Sequence, residues 1–141
     1  MQFESFTLSQ LKIGDKKEMT FEIKDENVRS FAEATGDFNP IHVNDEYAAE
    51  TPFGKRVAHG VLLTGIVSGL LGTRFPGLGT VAREMNAKFS GPVFIGDTVT
   101  VTAEVTEIKE RMNMCSINYS VKNPEGKTVV KGTAVVLPKK E

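Results

Sequence analysis

The sequence predicts an α+β fold in which a curved antiparallel sheet wraps around one long apolar helix. An apolar run from Val57 to Phe75 indicates a buried helix, and apolar residues alternate with polar ones through most of the chain that follows. A sheet with one apolar face must cover that face, and this run is the only long apolar element available. The 141 residues fit one domain, 1–141, with a sizeable core.

The composition is that of an ordinary soluble protein. The formal net charge is −1 with 25% charged residues, and there is no basic stripe of the kind that binds nucleic acid. Cys115 is the only cysteine, which excludes an intrachain disulfide and is typical of a reducing compartment. The first residues lack a basic region followed by an apolar stretch, so we expect no secretion signal and a cytoplasmic protein.

Before the apolar run, the chain predicts one strand and two short helices. Asp25 is the expected N-cap of an amphipathic helix that ends at Gly36, since glycine suits the left-handed position that closes a helix. A single further turn is expected from Asn44 through Ala49. The strand precedes both helices and is indicated by its alternating apolar residues, Met19, Phe21 and Ile23.

The apolar run itself has almost no polar face, which predicts a helix buried all round from His59 to about Thr73. A membrane span would need about 20 consecutive apolar residues, and this run is interrupted. Its glycines lower helix propensity. They suggest that other backbone or a ligand lies close to Gly60, Gly65, Gly69 and Gly72.

The second half of the chain predicts an antiparallel meander. Apolar residues alternate over 85–89, 99–105 and 115–121, and the strand 129–137 returns after a hairpin turn at 123–126. Cys115 is expected to be a buried, inert thiol within this meander.

The stretch Gly36–His42 holds the candidate catalytic residues. Asn39 precedes Pro40 and is therefore pushed toward an extended conformation, so we expect a stiff, non-helical turn. In such a turn Asp37 and His42 can converge on one point, where a general acid and a general base could share a water. Taken singly, Asp37 would be interpreted as a turn former and His42 as a structural histidine.

Gly36-Asp37-x-Asn39-Pro40-Ile41-His42, with Ala48 six residues later, resembles the signature of the MaoC-like (R)-specific enoyl-CoA hydratases. The similarity is strongest to short, single-domain hydratases that supply polyhydroxyalkanoate (PHA) synthesis, and it implies the hot-dog fold. It continues through most of the chain in the family's order, at Ala58-His59-Gly60, Ser68-Gly69-Leu70-Leu71-Gly72, Pro76-Gly77-Leu78-Gly79 and Pro92-Val93-Phe94-Ile95-Gly96-Asp97.

The resemblance implies a hydro-lyase with no cofactor, whose substrate is a coenzyme A thioester. Two histidines 17 residues apart and a lone cysteine do not make a metal site. Asp37 and His42 would hold one water, one residue removing a proton as oxygen attacks C3 and the other supplying a proton to C2. Which residue does which stays open. The backbone N–H of Gly60, at a helix N-terminus, would stabilise charge on the thioester oxygen, although Gly60 could also serve packing alone.

Two further residues are expected to support this site. Asn39 could fix the loop through side-chain to backbone hydrogen bonds. Ser68 aligns with a serine near the catalytic pair in the family and could orient a side chain or the substrate, or else bond back to the carbonyl of Thr64. His59 is expected to cap or pack at the start of the helix.

Other functions share parts of this pattern. An (R)-3-hydroxyacyl-ACP dehydratase would differ only in its carrier, a hot-dog thioesterase would use a carboxylate to activate water against the thioester carbonyl, and a binding module would keep the pocket without activity. The family also implies a homodimer, or a higher oligomer, with the acyl-CoA tunnel along the subunit junction. Either carrier could be met by surface cations, namely Lys55, Arg56, Arg74 and Arg83.

Overall fold

A computed structural model describes residues 2–141. The strands are β1 (Lys16–Glu22), β2 (Val81–Met85), β3 (Lys88–Phe89), β4 (Thr98–Lys109), β5 (Met114–Lys122) and β6 (Thr128–Leu137). The helices are α1 (Asp25–Thr35), α2 (Pro40–Val43), α3 (Asp45–Ala49) and α4 (Gly60–Thr73). Short 3-10 turns lie at Leu8–Gln10 and Glu110–Met112.

The strands form one sheet in the order β1-β4-β5-β6-β2, with β3 also paired to β6, and every pairing is antiparallel. Side chains alternate between the two faces of a strand, so most of the apolar residues of β4 and β5 point to one face. That face is buried, as predicted for the meander, and is formed by Val99, Val101, Ala103, Val105, Ile117, Tyr119 and Val121.

Helix α4 covers the buried face of the sheet. Its side chains share one hydrophobic core with the strands, and they contribute through Leu63, Ile66, Val67, Leu70 and Leu71. The predicted α+β architecture, a sheet wrapped around a central helix, is confirmed. Among the described residues, no helix is both long and apolar enough to cross a membrane.

The expectation that α4 is buried all round is wrong. Val61 is 60% exposed, and Ser68 and Gly69 lie on the same open side. The glycines of the helix also differ from the expectation, because only Gly60 has a close neighbour, while added Cβ atoms at the other three would meet open space. Apolar composition alone does not determine which side of a helix faces the sheet.

Two helix boundaries test the capping predictions. As predicted, Gly36 ends α1 in the left-handed conformation, at φ 79°. Its N–H bonds to the carbonyl of Ala32. Asp25, however, is the first residue of α1 and not its N-cap, which is Lys24. A carboxylate in the first turn still favours the helix through the backbone dipole.

Candidate active site

The chain between α1 and α3 folds back so that Asp37 and His42 face each other. Asn39 is the N-cap of α2 and accepts a hydrogen bond from the Ile41 N–H, and Pro40 is the first helical residue. The non-helical turn predicted for this stretch is therefore wrong from residue 40 onward. Proline fits the first position of a helix because its missing N–H would have no partner there in any case.

The catalytic candidates converge with a third residue that the signature does not include. The ligand atoms of Asp37, His42 and His59 all lie within 4.8 Å of one another. Asp37 is exposed, His42 is partly buried and His59 is only 2% exposed. The cluster thus lies between solvent and core, where a water can reach the Asp37 and His42 side chains.

The ring of His42 is held in one tautomer. Its Nδ1 lies 2.7 Å from the carbonyl oxygen of Val57, and because a carbonyl can only accept, Nδ1 must carry the proton. In neutral His42 the Nε2 atom is therefore the free acceptor.

His59 supports both candidates from within the core. Its ring stacks on His42 with 3.9 Å between centroids and packs against Phe31 with 4.6 Å between centroids, and its Nε2 lies 3.0 Å from the backbone oxygen of Asp37. Burial is the main cause that lowers the pKa of His59, and nearby His42 acts in the same direction. The predicted packing is confirmed, but the side chain makes no cap hydrogen bond to α4.

These donor atoms are close enough to raise the question of a metal ion. A ligating imidazole binds through a lone pair in its ring plane. The His42 and His59 rings are stacked with an interplanar angle of only 29°, so their lone pairs lie in nearly parallel planes and do not meet at one ion. We therefore assign no ion to the cluster.

Gly60 begins α4 beside the cluster. Its N–H makes no hydrogen bond within residues 2–141, as expected for the first turn of a helix. A Cβ at this position would lie 2.8 Å from the ring of Phe89, so a side chain would force that ring to move. The Gly60 backbone also lines an apolar cleft of about 590 Å³ between Phe53 and Phe89.

One short segment contacts both the cleft and the catalytic candidates. Val57 and Ala58 line the cleft, and the carbonyl of Val57 holds the His42 ring. Asp37 and His42 are not among the described residues that line this cleft. The segment that ends at the free N–H of Gly60 therefore borders both the acid–base pair and a volume able to hold an acyl thioester.

Ser68 is not brought to the pair within this chain. It lies eight residues beyond Gly60 on α4, which is about 12 Å along the helix axis. Its side chain is exposed and makes no hydrogen bond within residues 2–141, so the back-bond to the Thr64 carbonyl does not form. Asn39, by contrast, makes the local side-chain bond expected of it.

Arg56 is the residue whose role the sequence did not indicate. It was grouped with surface cations, yet it is only 8% exposed. Its Nε donates to the carbonyl of His42 at 2.7 Å, and its guanidinium forms ion pairs with Asp25 and Asp45. No local pattern could have revealed this, because His42 and Asp25 lie 14 and 31 residues away along the chain.

Comparisons with known proteins agree over nearly the whole length. Residues 9–127 match the family described as MaoC like domain. A 3-hydroxybutyryl-CoA dehydratase from Methylorubrum extorquens is 44% identical over 138 residues, which cover 93% of this chain and 83% of that protein.

Two solved structures have the same fold. The unliganded R-hydratase from Pseudomonas aeruginosa matches with a TM-score of 0.95 and 35% identity, covering 100% of this chain and 90% of that one. The (R)-hydratase from Aeromonas caviae involved in PHA biosynthesis matches with a TM-score of 0.88 and 35% identity, covering 93% of this chain and 98% of that one.

Proposed function

The chain belongs to the MaoC-like family of (R)-specific enoyl-CoA hydratases, and from this premise we propose that it reversibly hydrates trans-2-enoyl-CoA to (R)-3-hydroxyacyl-CoA. It is a hydro-lyase. The observation that carries the proposal is the convergence of Asp37 and His42 beside the free N–H of Gly60. The similarity to a hydratase of PHA biosynthesis supports a role in supplying that polymer.

The spacing of the two side chains suits a single shared water. Two hydrogen bonds of about 2.8 Å that meet at a tetrahedral oxygen span about 4.6 Å, and the ligand atoms of Asp37 and His42 lie within 4.8 Å. A water shared by the carboxylate and one ring nitrogen of His42 therefore fits this spacing, and Nε2 is the nitrogen that the Val57 carbonyl leaves free.

The Val57 carbonyl favours His42 as the base in hydration, because it leaves Nε2 unprotonated. Nε2 accepts a proton as the water oxygen bonds to C3, and Asp37 orients the water and stabilises the imidazolium. The electron pair of the C2–C3 double bond moves toward the thioester oxygen. The imidazolium then returns its proton to C2, so one water is added and His42 is neutral again.

The Gly60 N–H supports the charge that develops on the thioester oxygen. It has no acceptor within residues 2–141, and the backbone dipole of α4 adds positive potential at this end. A donor positioned in advance contributes most where charge forms during the reaction.

The proposal is tested with crotonyl-CoA by following the enoyl absorbance and the release of free thiol together. Hydration removes the enoyl signal without releasing thiol and gives the (R) product. Release of free thiol would show a thioesterase, and binding without either change would show a binding module. Comparing the CoA substrate with its ACP counterpart decides between the hydratase and the acyl-carrier dehydratase.

We also propose that two copies of the chain form the working enzyme, with the acyl chain along their junction and Ser68 facing it. The support is the open side of α4, next to a second apolar cleft of about 500 Å³ lined by Met19, Phe21 and Leu62. Exposed apolar surface of this kind is typical of interaction sites. Light scattering should give a dimer, and a monomer would contradict this proposal.

The lone thiol, Cys115, is consistent with a cytoplasmic location.

A further inference from the structure

The helix that carries His42 cannot hold its own geometry. Helix α2 has only four residues, and a helix of that length is unstable alone because nucleation is unfavourable. The last carbonyls of any helix also lack partners within it. The position of His42 therefore depends on contacts from outside α2.

Arg56 supplies such a contact at the His42 backbone. Its Nε donates to the carbonyl oxygen of His42 at 2.7 Å, which satisfies one of the free carbonyls at the end of α2. The rest of the guanidinium pairs with Asp25, the first residue of α1, and lies 3.6 Å from Asp45, the first residue of α3. One buried side chain thus joins three helices around His42.

The next residue holds the same part of the chain. The Val57 N–H bonds to the carbonyl of Ile41 at 3.3 Å, and the Val57 carbonyl accepts from Nδ1 of His42 at 2.7 Å. The backbone and the ring of His42 are therefore both attached to the pair Arg56–Val57. A shift of Arg56 would move the adjacent Val57 carbonyl. Nδ1 of His42 would then lose its acceptor, and the ring would be free to adopt the other tautomer.

We propose that Arg56 is a positioning residue for His42, anchored by the carboxylate of Asp25. This inference rests on the proposed hydratase function, in which His42 acts on the water. Arg56 acts through His42, because its side chain is only 8% exposed and is occupied by the His42 carbonyl, Asp25 and Asp45. A displacement of about 1 Å at a reacting group can lower turnover about 10²-fold. Removing the Arg56 guanidinium should therefore lower kcat with little change in KM.

The chain offers a matched control for this test. Arg29 also donates to the Asp25 carboxylate, at 3.0 Å, but it is half exposed and does not contact His42. We expect Arg56→Gln to lower kcat about 10- to 100-fold with KM within about twofold, and Arg29→Gln to change neither by more than about twofold. Arg56→Lys should recover part of kcat, since lysine keeps the charge and can donate one bond.

A spectroscopic signature separates positioning from general loss of structure. The sequence has only two histidines, so their imidazole nitrogens are easily assigned by nitrogen-15 NMR. In the wild type His42 should be the Nδ1–H tautomer, and in Arg56→Gln the Nε2–H tautomer should rise. If Arg56→Gln does not fold, Asp25→Asn can be used instead, because it removes the carboxylate that anchors Arg56. It should lower kcat and raise the Nε2–H tautomer of His42 in the same direction but by less.

The outcomes decide the proposal in either direction. A folded Arg56→Gln or Asp25→Asn variant with wild-type kcat and an unchanged His42 tautomer would overturn it, as would an equal loss in Arg29→Gln. A wild-type protein that does not hydrate crotonyl-CoA would overturn the proposed function instead. The tautomer measurement would still decide whether Arg56 positions His42.

Discussion

The two sides of the α4 N-terminus are built in opposite ways. On one side, Arg56, Val57 and His59 contact the catalytic candidates through hydrogen bonds and a stacked ring. On the other side, helix α4 exposes Val61 and a row of small residues with open space in front of them. Groups that must meet a water to within fractions of an ångström are fixed, whereas the surface that meets a variable acyl chain or a second copy is left open.

The largest effect is expected on the fixed side. Asp37→Asn or His42→Ala should lower turnover of crotonyl-CoA about 10²-fold or more, the usual scale for a positioned acid or base. Glu46→Gln is the matched control, because it neutralises an exposed carboxylate on the neighbouring helix α3. Most activity remaining in a folded Asp37 or His42 variant would remove the proposed site.

A second test lies where the two sides meet. Gly60→Ala places a Cβ 2.8 Å from the Phe89 ring and should lower kcat/KM about tenfold by disturbing the approach to the N–H. The double variant Gly60→Ala, Phe89→Ala separates the two roles of the glycine. If the acyl group itself needs the space, activity stays low, whereas full recovery would mean that Gly60 only makes room for Phe89.

A charge placed on the open side of α4 should weaken dimer assembly without affecting the folding of the chain. Val61→Arg places a charge at a 60% exposed position, so the free energy of unfolding should change by no more than about 0.5 kcal/mol. The dimer should weaken, as measured by light scattering over a dilution series. Met112→Arg is the control, since Met112 is 55% exposed on a distant turn, and equal weakening by both variants would contradict the proposed interface.

The smallest effect is expected at the other end of α4. Glu4 pairs with Lys17 and Arg74, and the hydrogen bonds from Lys17 and then Arg74 hold the pKa of Glu4 below its ordinary value. A lowered pKa means that this contribution to stability is complete above the unfolded-state pKa and is lost as the pH falls through the folded-state pKa. The Tm should fall more steeply on acidification in the wild type than in Glu4→Gln. Parallel curves of Tm against pH for the two proteins would contradict this.

Much of the fold could be predicted from the sequence because its signals are local. The alternation in β4 and β5 and the apolar run of α4 each depend on neighbouring residues alone. The strand boundaries followed only in part, because the alternation over 85–89 spans the end of β2 and the whole of β3, and β4 continues to Lys109. The exposed side of α4 could not be predicted, because exposure depends on which elements pack against the helix.

The catalytic pair could be predicted from the sequence, but the residues that hold it in place could not. Asp37 and His42 are five residues apart, and the chain between them is short enough for local rules to bring them together. The contacts that fix them come from residues far along the chain, as when Val57 bonds to His42 across 15 positions. Helix α2 was missed because the extended preference before Pro40 was carried too far, into residues that follow the proline.

The central claim is that one water lies between Asp37 and His42 while Gly60 bonds the thioester oxygen. A crystal structure of the Asp37→Asn variant with bound crotonyl-CoA tests this directly. We expect C3 of the substrate beside a water that contacts residue 37 and His42 Nε2, with the thioester oxygen about 2.7–3.1 Å from the Gly60 nitrogen. A substrate whose C3 lies away from this pair, or whose thioester oxygen bonds elsewhere, would contradict it.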